Sequence, residues 1–430
     1  MTAETHIRPD SLSNGTGFYR NASNELCCED TLLSDIAHRW GTPTYVYSRA
    51  AITERWNAYE TAFGTAPHQI CYAVKAASTK GILEVLAALG AGFDCVSGGE
   101  ILRVLAAGGD PKKIVFSGVA KTPADIAFAL TAGIKCFNIE SPAELDRIAN
   151  TARNLGLKAH ISVRVNPNID AHVDHHVATG LGDSKFGVKL TDVIALYQKA
   201  AELKEIEIEG ISCHIGSLVE STVPYMSEIE VLSVFVNELL DRGIALKHFD
   251  IGGGAGVAYK ADEKTLEPSE LIPAVVAQIR SLVKIPDIEI LIEPGRSIIA
   301  QAGVLLTRVE YLKSGIFERN FCVVDASMTE LVRPAMYGSH HEIEPVSPRS
   351  DIEPYGMSMA STYNSRPLPM EVLVDGAAIR PLRRRMTALD LLSDEYDLGL
   401  VQACIPADEV KTLFTQAQTY SEHPEDHDNK

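Results

Sequence analysis

The chain has 430 residues, 46% of them apolar, and a formal charge of −18, so it is long enough for two domains that each bury a core. The acidic balance argues against nucleic acid and against anionic membrane, both of which reward basic patches. No apolar run of 18 residues occurs, and the opening MTAETHIRPD has no apolar signal-peptide stretch, so a cytoplasmic protein with no membrane partner is expected.

Residues 1–40 show little strand pattern and are expected to form a segment packing with a later β-rich domain. From Ile70 onward, short β-branched or aromatic runs follow in series: ICYAVKA (70–76), GFDCVS (92–97), KIVFSG (113–118), KCFNIE (135–140), ISVRVNP (161–167), IEGISCHIG (208–216), HFDIGGG (248–254) and EILIEPG (289–295). Between them lie stretches with apolar residues at helical spacing, such as GILEVLAALG, TPADIAFALTAG and SPAELDRIANTARNLG, several closed by glycine. Strand and helix thus alternate eight times within about 250 residues, the size of a (β/α)8 barrel, which is expected over 41–300. After it, GVLLTRVEYL, NFCVVDAS, PMEVLVDG and AAIRPLRR read as strands of a β-rich domain over 301–410, and the polar tail 411–430 reads as disordered.

A barrel of this kind carries its chemistry at the carboxyl ends of the strands. Those ends supply Lys75, Asp94, Ser97, Ser117, Glu140, Arg164, His214, Asp250 and Glu293. Lys75 lies in an apolar strand, where an ammonium needs a carboxylate partner or a lowered pKa suited to Schiff-base chemistry. Glycines follow strand seven (Gly252, Gly253, Gly254, Gly256) and strand eight (Gly295, before Arg296), where barrels commonly hold a phosphate; a tight structural turn is the other reading. The spacing does not fit the dinucleotide fingerprint. A flat ring at His214 and a carboxylate at Glu293, able to hold a proton on a pyridine nitrogen, complete a set that points to pyridoxal phosphate.

The eight cysteines include no C-x-x-C pair and are expected to be buried free thiols. The cluster His172, Asp174, His175, His176 reads as a loop rather than a metal site, so no metal is expected, and the arginine run 383–385 reads as a solvated face.

The motifs YAVKA, GFDCVSGGE, IVFSGVAK, RVNPNIDAH, HIGS, DIGGGAG, EPGRSI, RPAMYGSHHEI and MASTYNSRP resemble those of the barrel-type pyridoxal-phosphate decarboxylases, and within them the diaminopimelate branch, from about Thr42 to Leu392. The resemblance implies a barrel followed by a β-domain, as in alanine racemase. It also implies decarboxylation of meso-2,6-diaminopimelate to L-lysine and CO2, the last step of lysine biosynthesis, by a homodimer. It casts Lys75 as the residue that holds the cofactor as a Schiff base and His214 as the ring that stacks on it. Asp94, Ser217, Gly252, Gly253, Gly254, Gly295 and Arg296 would complete the cofactor site, with Glu293 at the pyridine nitrogen. Arg296, Arg333 and Tyr337 would bind substrate carboxylates, and Tyr355 would touch cofactor and substrate. One departure stands out: the family's Cys-Glu-Ser-Gly-Asp segment is missing between HEIEPVSP and YGMSMAS. The family's acid for the protonation step is that cysteine, so turnover lowered by about two to four powers of ten is expected. A non-catalytic pyridoxal-phosphate-binding or partner-binding homologue, and a decarboxylase of another amino acid, are the alternatives.

Overall fold

The structure is a computed structural model describing residues 16–169, 184–259, 263–315, 320–347, 366–387, 390 and 412. It divides into two compact units, one comprising residues 1–17 and 48–303, the other 18–47 and 304–430.

The first unit is a closed parallel barrel of eight strands: β1 (His68–Ala73), β2 (Gly92–Cys95), β3 (Ile114–Phe116), β4 (Cys136–Ile139), β5 (Ala159–Asn166), β6 (Ile206–Ser212), β7 (His248–Asp250) and β8 (Glu289–Ile292). Each pairs with its neighbours in chain order, and β8 returns to β1 through Ile290↔His68 to Ile292↔Ile70. All eight expected strands are present, with ends differing by a few residues. Parallel strands covered on both faces need apolar residues at nearly every position, which is why Ile114, Val115 and Phe116 are all fully buried.

The helices of this unit are cut to length by local signals. Ser48, Ser97 and Ser141 each accept a hydrogen bond from a first-turn amide of the helix they precede, and Thr122 with Asp125 forms a reciprocal cap ahead of Pro123. Gly133 and Gly156 close their helices in the left-handed conformation. Of these, the caps at Ser97, Thr122 and Ser141 follow barrel strands and hold strand-to-helix turns at the carboxyl end, the end that carries the polar side chains.

In the second unit, Gly303–Leu306, Thr44–Ser48, Met370–Asp375 and Ala378–Arg383 form a four-stranded sheet in that order. The expected domain boundary at residue 41 therefore falls inside this unit, because Thr44–Ser48 is a strand of its sheet. Val309–Ser314 pairs with Asn320–Val324 as a separate hairpin. Phe18–Arg20, Leu26–Cys28 and Thr31–Leu32 form a small antiparallel sheet where the sequence shows little strand pattern, since runs of two or three residues display no period. The seven described cysteines are free, six of them buried. In the arginine run 383–385, Arg384 is solvated as expected and pairs with Asp390 at the surface, whereas the half-buried Arg383 pairs with Glu371 and Arg385 donates to the Trp40 carbonyl.

Candidate active site

The carboxyl ends of the strands bring one charged cluster together. Lys75 sits in a single 3-10 turn directly after β1, and its Nζ donates to Asp94 Oδ2 on β2 at 2.6 Å. Asp94 is fully buried, whereas the Lys75 side chain remains 51% accessible, so the amine is both paired and reachable from the barrel mouth. Enclosure works against the ammonium, but Asp94 and then Glu293 outweigh it and hold its pKa above the ordinary value. Burial likewise works against the Asp94 carboxylate, and Lys75 reverses that, leaving its pKa lowered.

On the adjoining strands stand Asp250 on β7 and Glu293 just beyond β8, both buried. Asp250 Oδ1 accepts the Gly252 amide at 2.8 Å, and Glu293 Oε1 accepts from Asn138 Nδ2 at 3.3 Å, which also donates to Ser117 Oγ at 3.1 Å. Burial, then Asp250 and Asp94, push Glu293 well above the usual carboxylate range. Burial raises Asp250 as well.

His214, two residues past β6, accepts the Gly253 amide at its Nδ1, 3.2 Å away. Burial first, then Arg164 and Lys75, lowers its pKa to about 3, so the ring is neutral. Arg164 at the end of β5 donates to Glu140 Oε1 at 3.1 Å and lies 4.8 Å from the centre of the Phe186 ring. The Glu140 carboxylate is further fixed by the Gly118 and Gly187 amides, each at 3.0 Å. Arg296 donates to the Tyr259 hydroxyl at 2.8 Å and to Ser217 Oγ at 3.2 Å.

The glycines after β7 have a reason of their own. A Cβ on Gly253 would lie 2.1 Å from the Glu293 carbonyl, and one on Gly254, at φ +104°, would lie 2.1 Å from that of Gly216. The amides of Gly252 and Gly253 are spent inside the protein, on Asp250 and His214. Gly295 is equally confined, its Cβ position lying 2.9 Å from that of Ala73.

Lys75, Asp94, His214, Ser217, Gly252–Gly254, Glu293, Gly295 and Arg296 thus all lie in the barrel unit at one end of it. Arg333 and Tyr337 lie on the short helix Val332–Tyr337 of the second unit, Arg333 buried and Tyr337 exposed. Tyr355 and the cluster at His172 lie outside the described residues. Sequence reasoning passed over Asn138, Lys121 and Tyr259; Asn138 was findable, because it stands two residues before Glu140 on the same strand. A separate cluster, His160 with Glu207 and Glu209, lies towards the amino-terminal ends of β5 and β6, where Lys158 and Lys247 already pair with the two glutamates.

An accessible lysine paired to a buried carboxylate, a neutral histidine and a buried carboxyl with a raised pKa on a parallel barrel define a pyridoxal-dependent enzyme. The groups present suit that cofactor: an amine for its aldehyde, an acid for its ring nitrogen and a flat uncharged ring for its face. The family described as pyridoxal-dependent decarboxylase, pyridoxal binding domain, matches residues 49–300. Diaminopimelate decarboxylase of Pseudomonas aeruginosa is 44% identical over 414 residues, covering 88% of this chain and 98% of that one. The crystal structure of diaminopimelate decarboxylase from Helicobacter pylori complexed with L-lysine is 35% identical, with TM-score 0.79, covering 84% of this chain and 98% of the other. That from M. jannaschii in complex with L-lysine is 29% identical, with TM-score 0.82, covering 90% and 100%. The chain belongs to the diaminopimelate decarboxylase family of pyridoxal-dependent decarboxylases.

Proposed function

We propose that the chain removes one carboxylate of meso-2,6-diaminopimelate as CO2 to give L-lysine, using pyridoxal phosphate at Lys75. The observation that carries this reading is the accessible Lys75 amine, paired to Asp94 at the barrel's carboxyl end, with the buried Glu293 carboxyl, its pKa raised by burial, on the adjoining strand. When bound, the cofactor supplies an electron sink for the charge left as CO2 departs. Asp94 orients Lys75, Glu293 meets the ring nitrogen, and neutral His214 covers a ring face. Ser217, Gly254, Gly295 and Arg296 serve the phosphate region, while Gly252 and Gly253 shape the turn that presents it. Arg296 recognises a substrate carboxylate through its planar fork, and Arg333, Tyr337 and Tyr355 carry the other substrate-binding roles that the resemblance assigns.

The protein would work as a cytoplasmic homodimer with a small amino-acid substrate. No helix among the described residues is long and apolar enough to cross a membrane. The missing Cys-Glu-Ser-Gly-Asp run favours a second reading, a homologue that binds the cofactor but turns over slowly or not at all. None of the eight cysteines lies in a Cys-Glu-Ser sequence, so Lys75 or water has to return the proton.

The test is visible absorbance of lysine-bound cofactor in purified protein, followed by CO2 release from meso-diaminopimelate. Wild type should show both, at a turnover about two to four powers of ten below that of the Pseudomonas aeruginosa relative. Lys75→Ala should abolish both. Bound cofactor without CO2 would select the second reading, and absorbance retained by Lys75→Ala would overturn the assignment of that lysine.

A further inference from the structure

The carboxyl cluster beside Lys75 has a feature that holding a ring nitrogen does not by itself require. Asp250 contributes two oxygens to a fully buried position. Oδ1 is satisfied by the Gly252 amide, yet Oδ2 has no donor. Its neighbour in the site is Glu293, tied to the same residue: the Gly252 amide donates to Asp250 and the Gly252 carbonyl accepts from the Glu293 amide, and the Glu293 side chain acts directly on the Asp250 carboxyl. Two carboxylates in contact cannot both be charged without a donor between them, and a buried acceptor left unmade costs about 1–3 kcal/mol. A proton on Glu293 removes both difficulties at once, because its O–H then donates to Asp250 Oδ2. The Glu293 backbone is pinned by its own amide, which donates to the Gly252 carbonyl at 2.7 Å, and its Oε1 by Asn138.

We propose that Asp250 and Glu293 share a single proton in the cofactor-free enzyme, and that the pair gives up this proton when pyridoxal phosphate binds. Asp250 is on this account a positioning residue: it does not meet the cofactor, but shares the proton that Glu293 gives up. The proposal rests on the assignment of Glu293 to the ring nitrogen.

The balance is simple. Before binding, the pair carries one proton and one negative charge; afterwards both carboxylates are ionised against a protonated ring nitrogen, so the shared proton goes to the nitrogen of a cofactor that arrives without one and to solvent when the cofactor arrives protonated. Other charges facing the pair fit this exchange. Lys75 and Arg164 lower the Glu293 pKa and favour its ionised form, whereas Asp94 opposes it. The ring cation supplies the additional positive charge that the second carboxylate needs. Cofactor binding and ionisation of the pair are therefore linked.

The experiment is calorimetric titration of the cofactor-free full-length protein with pyridoxal phosphate, in buffers of different ionisation enthalpy, which counts protons exchanged on binding. Asp250→Asn is the comparison. The Gly252 amide keeps the carbonyl oxygen of the introduced carboxamide where Oδ1 was, so the new N–H faces Glu293 and holds it ionised without a shared proton. Schiff-base formation and phosphate binding are common to both proteins and cancel. The variant should take up one proton more than wild type per cofactor bound; equal counts would overturn the proposal.

Infrared difference spectra of wild type keep the test decisive should the variant fold poorly. Cofactor binding should remove a protonated-carboxyl band, and persistence of that band would refute the loss of the shared proton. Failure of wild type to bind the cofactor, or a Schiff-base absorbance that survives Lys75→Ala, would instead count against the site assignment on which the proposal rests.

Discussion

Lys121 gives the sharpest quantitative expectation. Its side chain is 1% accessible, and its ammonium donates to the Gly118 carbonyl at 2.7 Å, the Asn138 carbonyl at 2.8 Å and Glu144 Oε1 at 2.7 Å. Three acceptors match the three donors of an ammonium, so the charge is fully compensated. Lys121→Met keeps most of the apolar stem and removes all three bonds, leaving a 9% accessible Glu144 carboxylate with nothing at Oε1. Breaking a buried ion pair from one side costs about 3–5 kcal/mol. At roughly 2–4 °C per kcal/mol for a unit of this size, the melting temperature should fall by about 6–20 °C. Lys121→Met with Glu144→Gln should recover part of the loss, since the stranded charge is gone. Thermal unfolding followed by far-UV circular dichroism measures both. A loss below about 1 kcal/mol in the single variant would refute the reasoning, because the carboxylate would then have another partner or water. The effect should also reach the site: Glu144 Oε2 accepts the Glu140 amide at 2.8 Å, and Glu140 holds Arg164.

Two further outcomes follow from local geometry. His160 is held above its ordinary pKa of 6.5 chiefly by its hydrogen bond to Glu209. A raised folded-state value means stability fully present below about pH 6.5 and lost as pH rises through the folded pKa, so His160→Gln should flatten the decline in urea midpoint between about pH 6 and 8; an unchanged slope would sink the assignment. Gly254→Ala places a Cβ against the Gly216 carbonyl at a positive φ, and should cost at least about 1–3 kcal/mol in urea unfolding and weaken cofactor binding. A variant with wild-type stability would show that the turn relaxes freely.

The barrel was legible because strands covered on both faces print as short, nearly continuous apolar runs, and the caps at Ser97, Thr122 and Ser141 mark where each helix begins. Lys75, Asp94, His214 and Glu293 were legible for a related reason: a polar residue ending such a run has nowhere to go but the barrel mouth. What was not legible depends on distances between strands far apart in sequence. Nothing in KCFNIE says that Asn138 spans from Ser117 to Glu293, and nothing in HIGS or AGVAYK says that Ser217 and Tyr259 both accept from Arg296. The short strands at Phe18–Arg20 and Thr31–Leu32 failed for want of length.

The glycine run shows how a motif can have a structural reason that its sequence does not print. Sequence reasoning took Gly252 to Gly254 as donors to a phosphate, with a structural turn as the rival account. The geometry gives the turn its reason at all three residues and leaves the phosphate role as a proposal at Gly254. Gly252 and Gly253 spend their amides on Asp250 and His214, the carboxylate behind Glu293 and the ring proposed to stack on the cofactor. Close packing against the Cys213, Glu293 and Gly216 carbonyls forbids a side chain at any of the three. The run therefore sets the protonation and orientation of two site residues as well as the course of the loop. A substitution there should disturb the spectrum of bound cofactor even where its phosphate contacts survive, because the first thing to move is the backbone that holds His214 and Asp250.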